Sequence, residues 1–130
     1  MKVSQRKRMK SYTRGTVEPE GYSNYINSSA WKEVRKNYIE DRKPTSCSAC
    51  GGTWGHGDHI HHMTYKNLGN EYLDDLIHLC EACHRELHEY DTTLKERAKS
   101  KRKRHQGLYA STQQFCRRKQ RESRVAQRKL

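Results

Sequence analysis

The chain has 130 residues, of which only 32% are hydrophobic, and 27 Lys/Arg stand against 15 Asp/Glu. That length excludes a large multidomain enzyme, no apolar run reaches membrane-spanning length, and the basic N-terminus lacks the apolar stretch of a signal peptide, so a cytoplasmic location with no membrane partner is expected. A core this small needs a staple such as a bound metal.

The charge is segregated. Residues 1–14 carry six Lys/Arg and no acid, and residues 95–130 carry fourteen against Glu96 and Glu122. The stretch between them carries seven basic and thirteen acidic residues. The expected organisation is a basic N-terminal arm (1–20), a folded domain (21–94) and a basic C-terminal tail (95–130). Arms of one sign meet polyanions, nucleic acid first, and neither arm shows the broad apolar face that a membrane surface requires.

In chain order, "YSNYINSSAWKEVRKNYIEDRKP" reads as a helix with an approach segment. Ser28 or Ser29 caps it, Glu33 suits its first turn, and Trp31, Val34 and Tyr38 recur at helical spacing before Pro44 ends it. "CSACGGTWGHGD" follows as a knuckle turn with a glycine-rich loop. "HIHHMTY" reads as a short strand, "KNLGNEYLDD" as a polar loop, and "LIHLC" as a second strand. From Glu81 the pattern turns helical, with Ala82, Leu87 and Tyr90 as packing candidates. The tail cannot build its own core. Its "STQQ", Ser111 to Gln114, is a capping-box pattern that would start a basic helix.

Two CxxC pairs, Cys47/Cys50 and Cys80/Cys83, suit one structural Zn²⁺, because two-residue spacing lets both thiolates of a pair reach one ion from a tight turn. Cys116 lies far from both. His84 and His88, at i and i+4, share one helix face and can grip a second ion. A third ligand from the strand carrying His61 and His62 would leave positions open, as catalytic sites do, and a fourth histidine would suit proton transfer near neutral pH. A stretched two-cysteine, two-histidine finger is disfavoured because it would strand Cys80 and Cys83. His56 and His78 read as loop and strand residues.

"HHMTYKNLGNE", "DDLIHLC" and "CHRELH", with "YINSSAWKEVRK" and the first CxxC upstream, resemble the HNH endonucleases over roughly residues 22–90. The resemblance implies an α+β fold: a small ββα-metal domain with an N-terminal helix and a four-cysteine zinc site. It also implies metal-dependent hydrolysis of DNA phosphodiesters, leaving 5′-phosphate and 3′-hydroxyl ends. Residue by residue, it makes His61, His84 and His88 ligands of the catalytic ion and His62 the general base. That ion would be Mg²⁺ or Mn²⁺, with Ni²⁺ or Zn²⁺ able to substitute. Asp75 stands where the family has its central Asn, as a brace for the loop and the base. Neighbours in a regular strand point to opposite faces, so His61 and His62 converge only if the strand end is twisted or bulged. Asp58 and His59 resemble the Asp-His pair of other members, which would move the base to His59; the spacing of "HHMTY" from "NLGNE" favours His62.

The tail cations Lys101, Arg102, Lys103, Arg104, Arg117, Arg118 and Lys119 are expected to contact DNA, and removing 95–130 to weaken binding while sparing the chemistry. One site per monomer requires a homodimer, or two nicks, to cut both strands. By the same resemblance the setting is a bacterial or phage-infected cell, with phage packaging proteins as further partners. The alternative class is a zinc-stapled, non-catalytic DNA-binding protein. An RNA-directed nuclease is a third reading, though no RNA-stacking module is visible.

Overall fold

A computed structural model of the chain describes residues 22–55 and 57–128; the expected N-terminal arm and His56 lie outside them. The elements run α1 (Tyr22–Ile26), α2 (Ser29–Arg42), β1 (His59–His62), a single 3₁₀ turn (Leu73–Asp75), β2 (Leu76–Leu79), α3 (Glu81–Ser100) and α4 (Leu108–Arg128). The result is a small α+β, ββα-type domain with a two-stranded antiparallel sheet.

Helix α2 forms where Ser28 and Pro44 place its ends, although Glu33 falls just past its first turn. The Ser28 side chain accepts a hydrogen bond from the Trp31 N–H at 3.2 Å, satisfying one of the donors that a helix start leaves unpaired. Lys43, left-handed at φ 46°, closes the helix before Pro44. The buried residues of α2 are Trp31, Val34 and Tyr38, the stripe that its periodicity marks.

Four residues in each strand suffice to divide the domain, because strand side chains alternate between faces. The register pairs His59 with Leu79, Ile60 with His78, His61 with Ile77 and His62 with Leu76. Ile60 and Leu76 join Trp31, Val34 and Tyr38 in one core. On that face His78 bonds to the Tyr38 hydroxyl at 2.8 Å and to the Ser48 hydroxyl at 3.1 Å. On the opposite face Leu79, with Ile77 beside it, packs with Cys83 and Leu87 of α3 and with Phe115 and Cys116 of α4. Helices therefore cover both faces of the sheet.

Several expectations are corrected by this packing. The boundary at residue 94 falls inside α3, and the segment beyond it is no loose tail, because Phe115 is 1% exposed in the second core. Helix α4 begins at Leu108, so Ser111 is one turn inside it. The Ser111 hydroxyl donates to Asp91 at 2.7 Å rather than forming a capping box. On α3, Ala82 is exposed while Leu87 is buried. The loop read as polar is largely interior: Asn67 and Glu71 are buried, with Asn67 Nδ2 donating to Asp75 and the Glu71 carboxylate bonded to His62.

Candidate metal centres

Cys47 and Cys50 sit on a knuckle that Gly51 permits by adopting φ 78°. Cys80 is the N-cap of α3, and Cys83 lies in its first turn. The four sulfur atoms lie within 4.8 Å of one another, and Cys116, though buried nearby, is not one of the group. The Cys50–Cys80 Sγ separation is 3.9 Å. That is far beyond a disulfide bond and close to the edge of about 3.8 Å that a tetrahedron of roughly 2.3 Å Zn–S bonds requires.

Backbone N–H groups aim at these sulfurs: Ala49 at Cys47 and Gly52 at Cys50, each 3.4 Å away. Such donors favour thiolate over thiol. Burial raises the Cys47 thiol pKa, but the N–H groups of Cys80, Cys50 and Ala49 outweigh it, and the net shift is downward. Burial and then the neighbouring Cys47 thiolate push Cys83 strongly the other way. One thiolate thus suppresses the next until a cation shares them. The donor set fits a structural metal such as zinc.

The second cluster stands between β1 and α3. His61, His84 and His88 each offer a nitrogen within 4.8 Å of the others, and the Nε2 atoms of His84 and His88 are 3.2 Å apart. Burial, then the charges of His84 and His88, push the His61 pKa down to about 2. Burial and the charges of His59 and His88 push His84 down to about 4, and burial also lowers His88. The three imidazoles are therefore neutral and free to donate lone pairs near pH 7. Three neutral nitrogens with no carboxylate suit Ni²⁺ or Zn²⁺ better than Mg²⁺ or Mn²⁺, which prefer oxygen.

His59 belongs to the same face. Its ring stacks on His84 with centroids 4.2 Å apart and planes 13° apart. Asp58 does not point to the cluster; its carboxylate accepts the Gly55 N–H at 2.9 Å and approaches the first N–H of α3 at 3.4 Å.

His62 takes the other face, because β1 alternates regularly. Its ring lies 4.7 Å from that of Trp31, and its Nε2 is 2.7 Å from Glu71 Oε2. Tyr25 donates to the same carboxylate at 2.8 Å, and His62 is only 2% exposed. The convergence of His61 and His62 on one ion therefore does not occur in this arrangement, since it needed a twisted strand end. Asp75 is buried and braces the loop: Oδ2 accepts from Asn67 Nδ2 and the Tyr72 N–H, both at 2.9 Å, and its carbonyl accepts the Met63 N–H at 2.7 Å. Glu71 is a carboxylate bonded to His62.

Glu71 and Thr112 escaped the sequence reading. Thr112 Oγ1 reaches to 3.4 Å from His61 Nε2, so the start of α4 abuts the histidine cluster. Nothing local to a chain of polar residues marks either one, because each gains its partner only through folding. Among the basic candidates, Lys101, Arg102, Lys103 and Arg104 are exposed between α3 and α4, and Arg117 and Arg118 are exposed on α4. Lys119 is engaged, 3.1 Å from Glu86. Compared with models of protein families, with curated proteins and with solved structures, the chain matches none, so its function is read from its own side chains.

Proposed function

We propose that the protein is a metal-dependent endonuclease of the HNH type that hydrolyses DNA phosphodiester bonds. The observation that carries this reading is the convergence of His61, His84 and His88 on one point of a ββα frame, with His88 left exposed. A purely structural ion would be enclosed by four ligands, whereas three leave room for substrate. A divalent ion held there would offset the negative charge that builds on the phosphoryl and leaving oxygens.

Neutral His61, His84 and His88 are the groups that hold and orient this site. A proton must also leave the attacking water. His59 shares the histidine face and is partly exposed, whereas His62 is buried behind the sheet. On accessibility His59 is the better placed acceptor, as a base must come within hydrogen-bond reach of its water. The water oxygen then bonds to phosphorus as the bond to the 3′ oxygen breaks.

The test is nicking of supercoiled plasmid by zinc-loaded protein with Mn²⁺ or Mg²⁺, beside EDTA and His88→Ala. Metal-dependent nicking lost in His88→Ala supports the reading. Absence of nicking with every divalent ion, with DNA binding intact, would leave a zinc-stapled DNA-binding protein instead.

A further inference from the structure

Helix α4 has two faces of opposite character. Ser111, Thr112, Phe115 and Cys116 are buried, each no more than 7% exposed. Arg117, Arg121, Arg124 and Arg128 are all exposed. At about 100° per residue, positions 117, 121, 124 and 128 fall within a sector of roughly 60°. That sector is diametrically opposite the buried face. The stripe spans about 17 Å, at about 1.5 Å per residue.

The other cations of α4 are committed elsewhere. Lys119 pairs with Glu86 at 3.1 Å, and Arg118 lies 3.5 Å from Glu122 and over the Tyr90 ring at 5.5 Å. Among the described residues, no ion pair or hydrogen bond engages the four stripe arginines. Glu122 is the sole acid of the helix and stands off the stripe. Four guanidinium groups in line repel one another, so their placement suits an external anion with evenly spaced charge.

We infer that Arg117, Arg121, Arg124 and Arg128 form a rigid rail for the phosphate backbone of double-stranded DNA, fixed in position relative to the histidine cluster. The choice of DNA rests on the proposed nuclease reading; the rail itself rests on α4. Thr112 abuts His61, and Arg117 follows about 7–8 Å farther along the axis. The rail therefore faces away from the histidine cluster across α4, so it would hold phosphates at a fixed distance from the one to be cut. Duplex DNA places a phosphate about every 3.4 Å of axis on each strand, and because the strand winds around that axis, a straight rail of about 17 Å meets fewer than the roughly five that the axial rise alone would give. Arginine suits this contact because its fork binds phosphate oxygens in pairs.

The experiment compares the zinc-loaded wild type with the fourfold variant Arg117→Gln, Arg121→Gln, Arg124→Gln, Arg128→Gln. Fluorescence anisotropy with a labelled DNA duplex is followed over a salt series, without added Mn²⁺. The expected result is at least about a tenfold loss of affinity, with the slope of log K against log salt falling by roughly three to four. Thermal melting should be unchanged, since all four side chains are exposed. Lys32→Gln with Lys36→Gln, exposed on α2, serves as a control that should shift the slope far less. A fourfold variant that binds with wild-type affinity and slope overturns the rail, whatever the plasmid assay shows. Stronger, equally arginine-dependent binding to duplex RNA or to anionic phosphatidylserine vesicles overturns the choice of partner. If the rail behaves as expected but the wild type nicks no plasmid, the rail stands and the nuclease reading falls.

Discussion

His61 and His62 are sequence neighbours whose imidazoles serve opposite faces of the sheet. The His61 ring lies 5.2 Å from that of His84 and 5.1 Å from that of His88, both edge-on, while His62 Nε2 bonds to Glu71 at 2.7 Å. A one-residue step along β1 thus separates a candidate metal ligand from a buried polar brace.

Substituting these histidines separates the roles. His62→Ala takes a partner from the buried Glu71 carboxylate, which keeps the Tyr25 hydroxyl, and opens a cavity, so it should cost about 2–4 kcal/mol of stability. His59→Ala should barely change stability and should remove most nicking activity. Denaturant unfolding and plasmid nicking on both variants read this out. A folded His62→Ala protein that cannot nick, beside an active His59→Ala, would return the base role to His62 and make Glu71 its orienting group.

Loss of the four-sulfur site should be felt by the whole domain. Structural zinc contributes on the order of 10–16 kcal/mol in small folds, comparable to the full stability of a domain this size. Cys80→Ser or stripping with a strong chelator should abolish cooperative unfolding. Elemental analysis should find one tightly held zinc per wild-type chain and none in the variant.

The metal-free histidine site should make stability pH-dependent in one direction. Folded-state pKa values of about 2 for His61 and about 4 for His84 lie below the ordinary histidine value near 6.5. The unfolded chain therefore binds more protons below pH 6.5, and stability falls with decreasing pH until the folded values are reached. With zinc retained but no second ion added, urea midpoints should drop between about pH 6.5 and pH 4. His61→Ala and His84→Ala together should flatten that slope.

Helix α4 is part of the fold. Phe115→Ala should cost about 3–4 kcal/mol, because a fully buried aromatic ring is replaced by a cavity against Leu87 and Leu79. A chain shortened to end at residue 106 should melt well below the full chain and lose its cooperative transition, as measured by circular dichroism. The simpler expectation, a removable arm with the chemistry left intact, would require an unchanged melt.

Local chemistry determined much of this protein in advance. The Ser28 cap, the Trp31–Val34–Tyr38 stripe, the knuckle spacing and the i, i+4 histidines depend on residues a few positions apart, where periodicity and turn geometry act directly. Their elements and the four-cysteine group could be read from the chain alone. What tertiary structure decided were the relationships across long separations. Whether His62 met an ion or Glu71 depended on the regularity of one strand end. Whether the basic C-terminal segment became an arm or a packed helix depended on Phe115 finding a groove between α3 and the sheet. Polar and basic composition conceals such contacts, because one buried ring and a few satisfied hydroxyls are enough to dock an otherwise solvated helix.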